Sequence, residues 1–154
     1  MAKPHKITGL NPNGSYHENA LIILPQKVQE VYSWEQFIHN PEQREELHNM
    51  RISIKRLRYT MEFLAINYDK KFHDFLTTLI ELQDILGDIH DNDVVLETLT
   101  EYKENHETST LSGIETLIAR TRKNRNTDYQ TFLKKWEQLS QENFKQKLLE
   151  IIAS

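Results

Sequence analysis

Apolar residues recur at three- and four-residue steps through most of the chain, and alternation with a period of two is nowhere sustained. Such spacing places the apolar side chains on one face of a helix, so the pattern predicts helices throughout. Leu47, Met50, Ile54, Leu57, Met61, Leu64 and Tyr68 form the clearest stripe and predict a helix from Asn40-Pro41-Glu42 to about Asn67. Asn suits the N-cap, Pro the first helical position and acids the first turn. Asp69 caps a third helix whose apolar face is Phe72, Phe75, Leu76, Leu79, Leu82, Leu86, Ile89, Val95, Leu96 and Leu99. Gly87 falls inside that pattern and marks a kink or a close backbone contact.

Upstream, a helical region covers about Tyr16–His39, disturbed at Pro25, which either opens a restarted helix or kinks a longer one. After the polar stretch Glu104–Ser112 a fourth helix spans about Leu111–Leu139. A short last helix carries Phe144, Leu148, Leu149 and Ile151 beyond a boundary near Ser140. Residues 1–14, rich in Pro, Gly and Asn, read as a flexible leader, and residues 15–154 as a single helical domain. Downstream of Pro41 there is no proline and only Gly87 and Gly113, which favours long uninterrupted helices. The predicted fold is all-α, an antiparallel four-helix bundle of long helices with a short C-terminal helix.

A chain of 154 residues holds one domain. Without cysteine it has no disulfide, thiolate metal site or thiol nucleophile. The N-terminus lacks the apolar segment of a secretory signal, and the run Ala20–Leu24 is far short of the roughly 20 apolar residues of a membrane span. The chain therefore reads as cytoplasmic, with no membrane partner.

The net charge of −4 conceals two populations. Residues 69–108 carry eleven acidic and three basic side chains, whereas Leu47 to Met61 contains Arg51, Lys55, Arg56 and Arg58 and no acid. On a helical wheel Arg44, His48, Arg51, Lys55 and Arg58 fall within an arc of about 80° beside the apolar stripe, with Arg56 well away. Basic side chains flanking an apolar stripe often only snorkel. Five on one line repel one another unless an anion, or acids from a neighbouring helix, face them, and a row stacked about 5–6 Å apart matches a chain of phosphates better than one small anion.

The residues of this row, Leu47-His48-Asn49-Met50-Arg51-Ile52-Ser53-Ile54-Lys55-Arg56-Leu57-Arg58-Tyr59, resemble the signature of the CHAD family, the conserved histidine α-helical domain. Leu82-Gln83-Asp84-Ile85-Leu86-Gly87-Asp88-Ile89-His90-Asp91 is similar to the family's second block, and the Phe132, Trp136 and Phe144 spacing is also similar. The resemblance covers about residues 40–150. It implies a non-enzymatic helical module that binds inorganic polyphosphate through a basic inner face. The family usually pairs two such units across a cavity, and this chain has room for one, so a homodimer is the expected assembly.

Carried onto matching positions, His48, Arg51, Lys55 and Arg58 are the expected phosphate contacts, with Arg44 one turn further along. His48 is the group able to modulate binding with pH. Tyr59, just beyond the stripe, either offers its hydroxyl or simply edges the bundle. Lys70 and Lys71 read as solvated first-turn residues. Arg120, Arg122, Lys123 and Arg125 form a second basic cluster, from which Arg120 and Lys123 are the residues that could join the site. Asp91 is read as an acid that pairs with a row arginine.

No catalytic residue, cofactor or metal is expected. Asp91 and Asp93 point in different directions on a helix, and the Glu-x-x-His spacing of a di-metal bundle occurs once, at Glu45–His48. Two rival functions share the charge pattern: non-specific nucleic-acid binding, disfavoured because few aromatics interleave with the basic residues, and a helical adaptor for a protein partner.

Overall fold

The computed structural model describes residues 3–106 and 112–154. Helices α1 (Tyr16–Tyr32), α2 (Arg44–Leu64), α3 (Lys70–Glu104) and α4 (Ser112–Gln141) are long, and α5 (Phe144–Ala153) is short. Single turns of 3₁₀ helix lie at Glu35–Phe37 and Ala65–Asn67, and no strand occurs among the described residues. The α3 helix packs between α2 and α4, while α1 packs on α2 and α5. The all-α bundle expected from the periodicity is therefore the architecture found. Among the described residues no helix is long and apolar enough to cross a membrane.

Helix boundaries follow local chemistry, with one correction that matters for the site. A capping box opens α1: Ser15 Oγ accepts from Glu18 N at 3.1 Å and Glu18 Oε2 accepts from Ser15 N at 2.9 Å. The helix continues through Pro25 and ends at Tyr32, short of His39. Asn40 does not cap α2. Its Oδ1 accepts from Glu42 N at 3.0 Å and its carbonyl from Gln43 N at 3.1 Å, which closes a turn around Pro41. That turn delays the helix to Arg44, so the first basic residue of the row is also the first residue of α2.

Asp69 caps α3 as expected, its Oδ1 accepting from Lys71 N at 3.0 Å. The helix then runs unbroken through Gly87. Leu111, the expected start of the fourth helix, lies outside the described residues, as do residues 1–2 of the expected leader. The rest of that leader lies along α1. Gln26 pairs with the backbone of Thr8 in both directions (3.1 and 2.9 Å), and Asn19 does the same for Asn11 (2.9 and 2.8 Å).

From Leu47 to Leu64 the predicted α2 stripe is buried, facing Phe72, Leu79, Leu82 and Leu86 of α3 and Phe132 of α4 in one core. Val95, assigned to the apolar face of α3, is exposed instead. Side-chain hydrogen bonds tie the loops to this core: Tyr129 donates to the Ile38 carbonyl at 2.7 Å, Trp136 Nε1 to Glu35 at 2.8 Å and Trp34 Nε1 to Ser53 at 3.0 Å. Together they tie the segment after α1 to α2 and α4.

Candidate phosphate-binding site

The core takes one side of α2, and the basic row lies along the border of that side, against α3. Facing it on α3 is a line of small or polar residues at matching three- and four-residue steps: Gln83, Gly87, His90 and Asp93. The two helices pair these positions in antiparallel order. Arg58 Nη1 donates to Gln83 Oε1 at 3.2 Å, Arg51 lies over Gly87, His48 stacks on His90, and Arg44 Nε is 3.6 Å from Asp93 Oδ1.

Gly87 gives Arg51 room against α3. A β-carbon at this position would stand 3.3 Å from Arg51 Nε, so glycine lets the guanidinium lie flat against the helix. The expectation of a close backbone contact rather than a break is met. Arg51 Nε is buried and has no hydrogen-bond partner.

The two ends of the row are neutralised and its middle is not. Arg58 Nε pairs with Glu62 at 2.9 Å, and Arg44 is within ion-pair reach of Glu42 (3.7 Å) and Asp93. Arg51 and Lys55 meet no carboxylate within 4 Å among the described residues. Half-exposed Tyr59 lies beside this middle stretch, with Arg58 5.3 Å and Lys55 6.0 Å from its ring centre. Arg56, set apart on the wheel, turns to the other side and pairs with buried Glu30 at 3.2 Å.

His48 sits at the mouth of a groove of about 460 Å³ between α2, α3 and α4, into which Arg44, His90 and Arg122 also project. Its ring stacks on His90 with centroids 3.9 Å apart and planes 17° from parallel. Burial holds its imidazole below the ordinary histidine value, and the neighbouring His90 and Arg51 add to the effect.

The second basic cluster divides. Arg125 is buried and holds Asp93 with both ends of its guanidinium, Nε to Oδ1 and Nη2 to Oδ2. Arg122 lines the groove. Arg120 and Lys123, the two singled out from the sequence, are exposed and lie on the far side of α4 from its buried line Thr121, Arg125 and Tyr129, away from the row. The α3 acid that pairs with a row arginine is Asp93; Asp91 is exposed and faces a different cleft beside Asn92 and Asp128. His90, Asp93 and Arg122 are the site residues that the sequence reading did not assign. For His90 and Asp93 the available signal was a line at steps of three and four opposite the row, visible only once the α2–α3 register is known; Arg122, on α4, is not on that line.

Among the described residues no three His, Asp or Glu side chains converge on a point where they could hold a metal ion. The model of the CHAD domain matches residues 23–100 of the 154, a span that holds the whole row and its α3 partners and stops before α4. No curated protein and no solved structure matches the chain.

Proposed function

The chain belongs to the CHAD family, and from that premise we propose that it binds inorganic polyphosphate along the row on α2 and leaves the polymer intact. The CHAD domain is associated with polyphosphate in general. The observation that carries the reading for this chain is the uncompensated middle of the row, where among the described residues Arg51 and Lys55 have no carboxylate partner and Arg51 keeps an unpaired donor. Fourteen residues of helix separate Arg44 from Arg58, about 21 Å, so the ligand that meets every cation is a chain and not a single ion.

In this reading Arg44, Arg51, Lys55 and Arg58 supply permanent charge and directed donors, His48 a further donor, and the Tyr59 hydroxyl the far edge. Arg120 and Lys123 take no part. Binding without turnover fits the acids present: Asp93, which faces the row from α3, is engaged by two arginines, and Glu62 is paired with Arg58, so neither is free to carry a metal-bound water. Nucleic acid is the weaker partner, since among the described residues Tyr59 is the aromatic that stands beside Lys55 and Arg58, too little to stack successive bases. We place the protein in the cytoplasm.

A homodimer is part of the proposal. Beyond the row, the end of α2 and the 3₁₀ turn that follows it expose Tyr59, Phe63 (73% exposed) and Ile66 (86% exposed), an apolar face that a second copy would cover. Light scattering during a titration with long-chain polyphosphate tests both parts. The expected result is a dimer without polymer and larger particles as polymer is added. A scattering mass that stays constant at every polymer concentration contradicts polyphosphate binding. A monomer contradicts the dimer and leaves the apolar face to a different protein.

A further inference from the structure

Two imidazoles lie face to face in the groove between α2, α3 and α4, His48 from one helix and His90 from the next, 3.9 Å between ring centres. Arg44 and Arg122 line the same groove, and His48 Nδ1 is buried there without a partner. The charged groups lining the groove with the pair are Arg44 and Glu45 on α2, Asp93, Glu97, Glu101 and Glu104 on α3, and Arg122 on α4, and Arg51 acts on His48 from α2. Asp93 is held by Arg125 and Arg44. Two imidazolium ions at this separation would repel each other, so a second proton on the pair is disfavoured, and the arginines oppose the first. Glu45, Glu97, Glu101 and Glu104 pull the other way.

We propose that this groove is a proton-gated oxyanion subsite, in which a phosphate group enters beside Arg44 and Arg122 and binds together with one proton taken up by the His48–His90 pair. The inference rests on the reading of the row as a polyphosphate site and extends that site onto His90 and Arg122. The phosphate oxygens supply the negative charge that the imidazolium lacks in the empty groove. They also accept the hydrogen bond that the protonated ring then offers. The stack lets either ring carry the proton, while the other remains neutral against its face.

The direction of the pH effect follows. In the free chain burial, His90 and Arg51 hold the His48 imidazole below its ordinary value, so its neutral form dominates at pH 7 and above. An anion in the groove raises the proton affinity of the pair. Binding and protonation therefore strengthen each other, and affinity rises as pH falls. One coupled proton sets a limit of about tenfold per pH unit.

The test is calorimetric titration of the full chain with long-chain polyphosphate, whose interior phosphates stay ionised throughout, at fixed salt and at about pH 8 and about pH 5.5. The expected result is binding about fivefold or more tighter at the lower pH. Repetition in two buffers of different ionisation enthalpy is expected to show uptake of close to one proton per bound protein. The double variant His48→Gln with His90→Gln is expected to flatten the pH dependence, and Arg122→Gln to weaken binding while keeping it. Equal affinity at both pH values, no proton uptake by the wild-type chain, or an unchanged pH dependence in the double variant would overturn the subsite while leaving polyphosphate binding in place. No binding at either pH would overturn the reading of the row itself.

Discussion

Reversing two charges in the row, Arg51→Glu with Arg58→Glu, is expected to weaken retention on long-chain polyphosphate by about 100-fold or more. Each position contributes a charge-assisted contact of about 1.5 kcal/mol at the low end, appropriate for partly solvated side chains. Losing two of them amounts to about 3 kcal/mol, or about 100-fold, before the new carboxylates repel the polymer. The row's geometry makes these two positions the ones to change. Arg51 occupies its uncompensated middle over Gly87, and Arg58 borders Lys55 and Tyr59. Arg58→Glu also places a second acid one turn from Glu62, a local cost of only about 0.5 kcal/mol, so the helix is expected to persist. Circular dichroism checks this. The neutral pair Arg51→Gln with Arg58→Gln is expected to lose binding in the same direction by a smaller factor. Retention of the double reversal at the wild-type level, at matched salt, would remove α2 from the binding surface.

The largest stability effect is expected at Asp93. Its carboxylate takes both ends of the Arg125 guanidinium, and the two side chains are 13% and 7% exposed. Arg44 Nε adds a third cationic contact at 3.6 Å. Asp93→Ala leaves Arg125 buried among Thr121, Tyr129 and α3 with no counter-charge, and breaking a buried pair in this way costs roughly 3–5 kcal/mol. Because the Asp93 side chain keeps some contact with water, the lower end of that range, about 3 kcal/mol, is expected from urea denaturation midpoints. The double substitution Asp93→Leu with Arg125→Met removes both charges and is expected to recover most of the loss. A loss below about 0.5 kcal/mol in Asp93→Ala would mean that the pair does not bind α3 to α4.

Much of the fold was legible because one rule, apolar residues at steps of three and four, governed every helix. The stripe Leu47 to Leu64 is buried as its spacing requires, and Asp69 caps α3 as its chemistry requires. Asn40 misled because the hydrogen bond that makes asparagine a helix cap also closes a turn, and Pro41 favours either. The row itself was legible for the same reason as the stripe: both depend on positions within a single helix.

Its partners were not legible, because they depend on how two helices slide and rotate against each other. Asp91 and Asp93 lie about 200° apart on the same helix, and nothing local says which of them faces Arg44. The answer lies in the α2–α3 register, in which Arg51 lies against Gly87, His90 stacks on His48 and Asp93 reaches Arg44 and Arg125. Arg120 and Lys123 illustrate the converse. They share a face, but it is the face that α4 turns away from α3.

The claim that the α2 row takes a chain of phosphates is tested most directly by titrating the wild-type chain with long-chain polyphosphate in the presence of labelled single-stranded nucleic acid at one fixed salt concentration. The expected result is saturable polyphosphate binding that weakens as salt is raised and displaces any bound nucleic acid. Nucleic acid that stays bound while polyphosphate fails to compete would contradict the account.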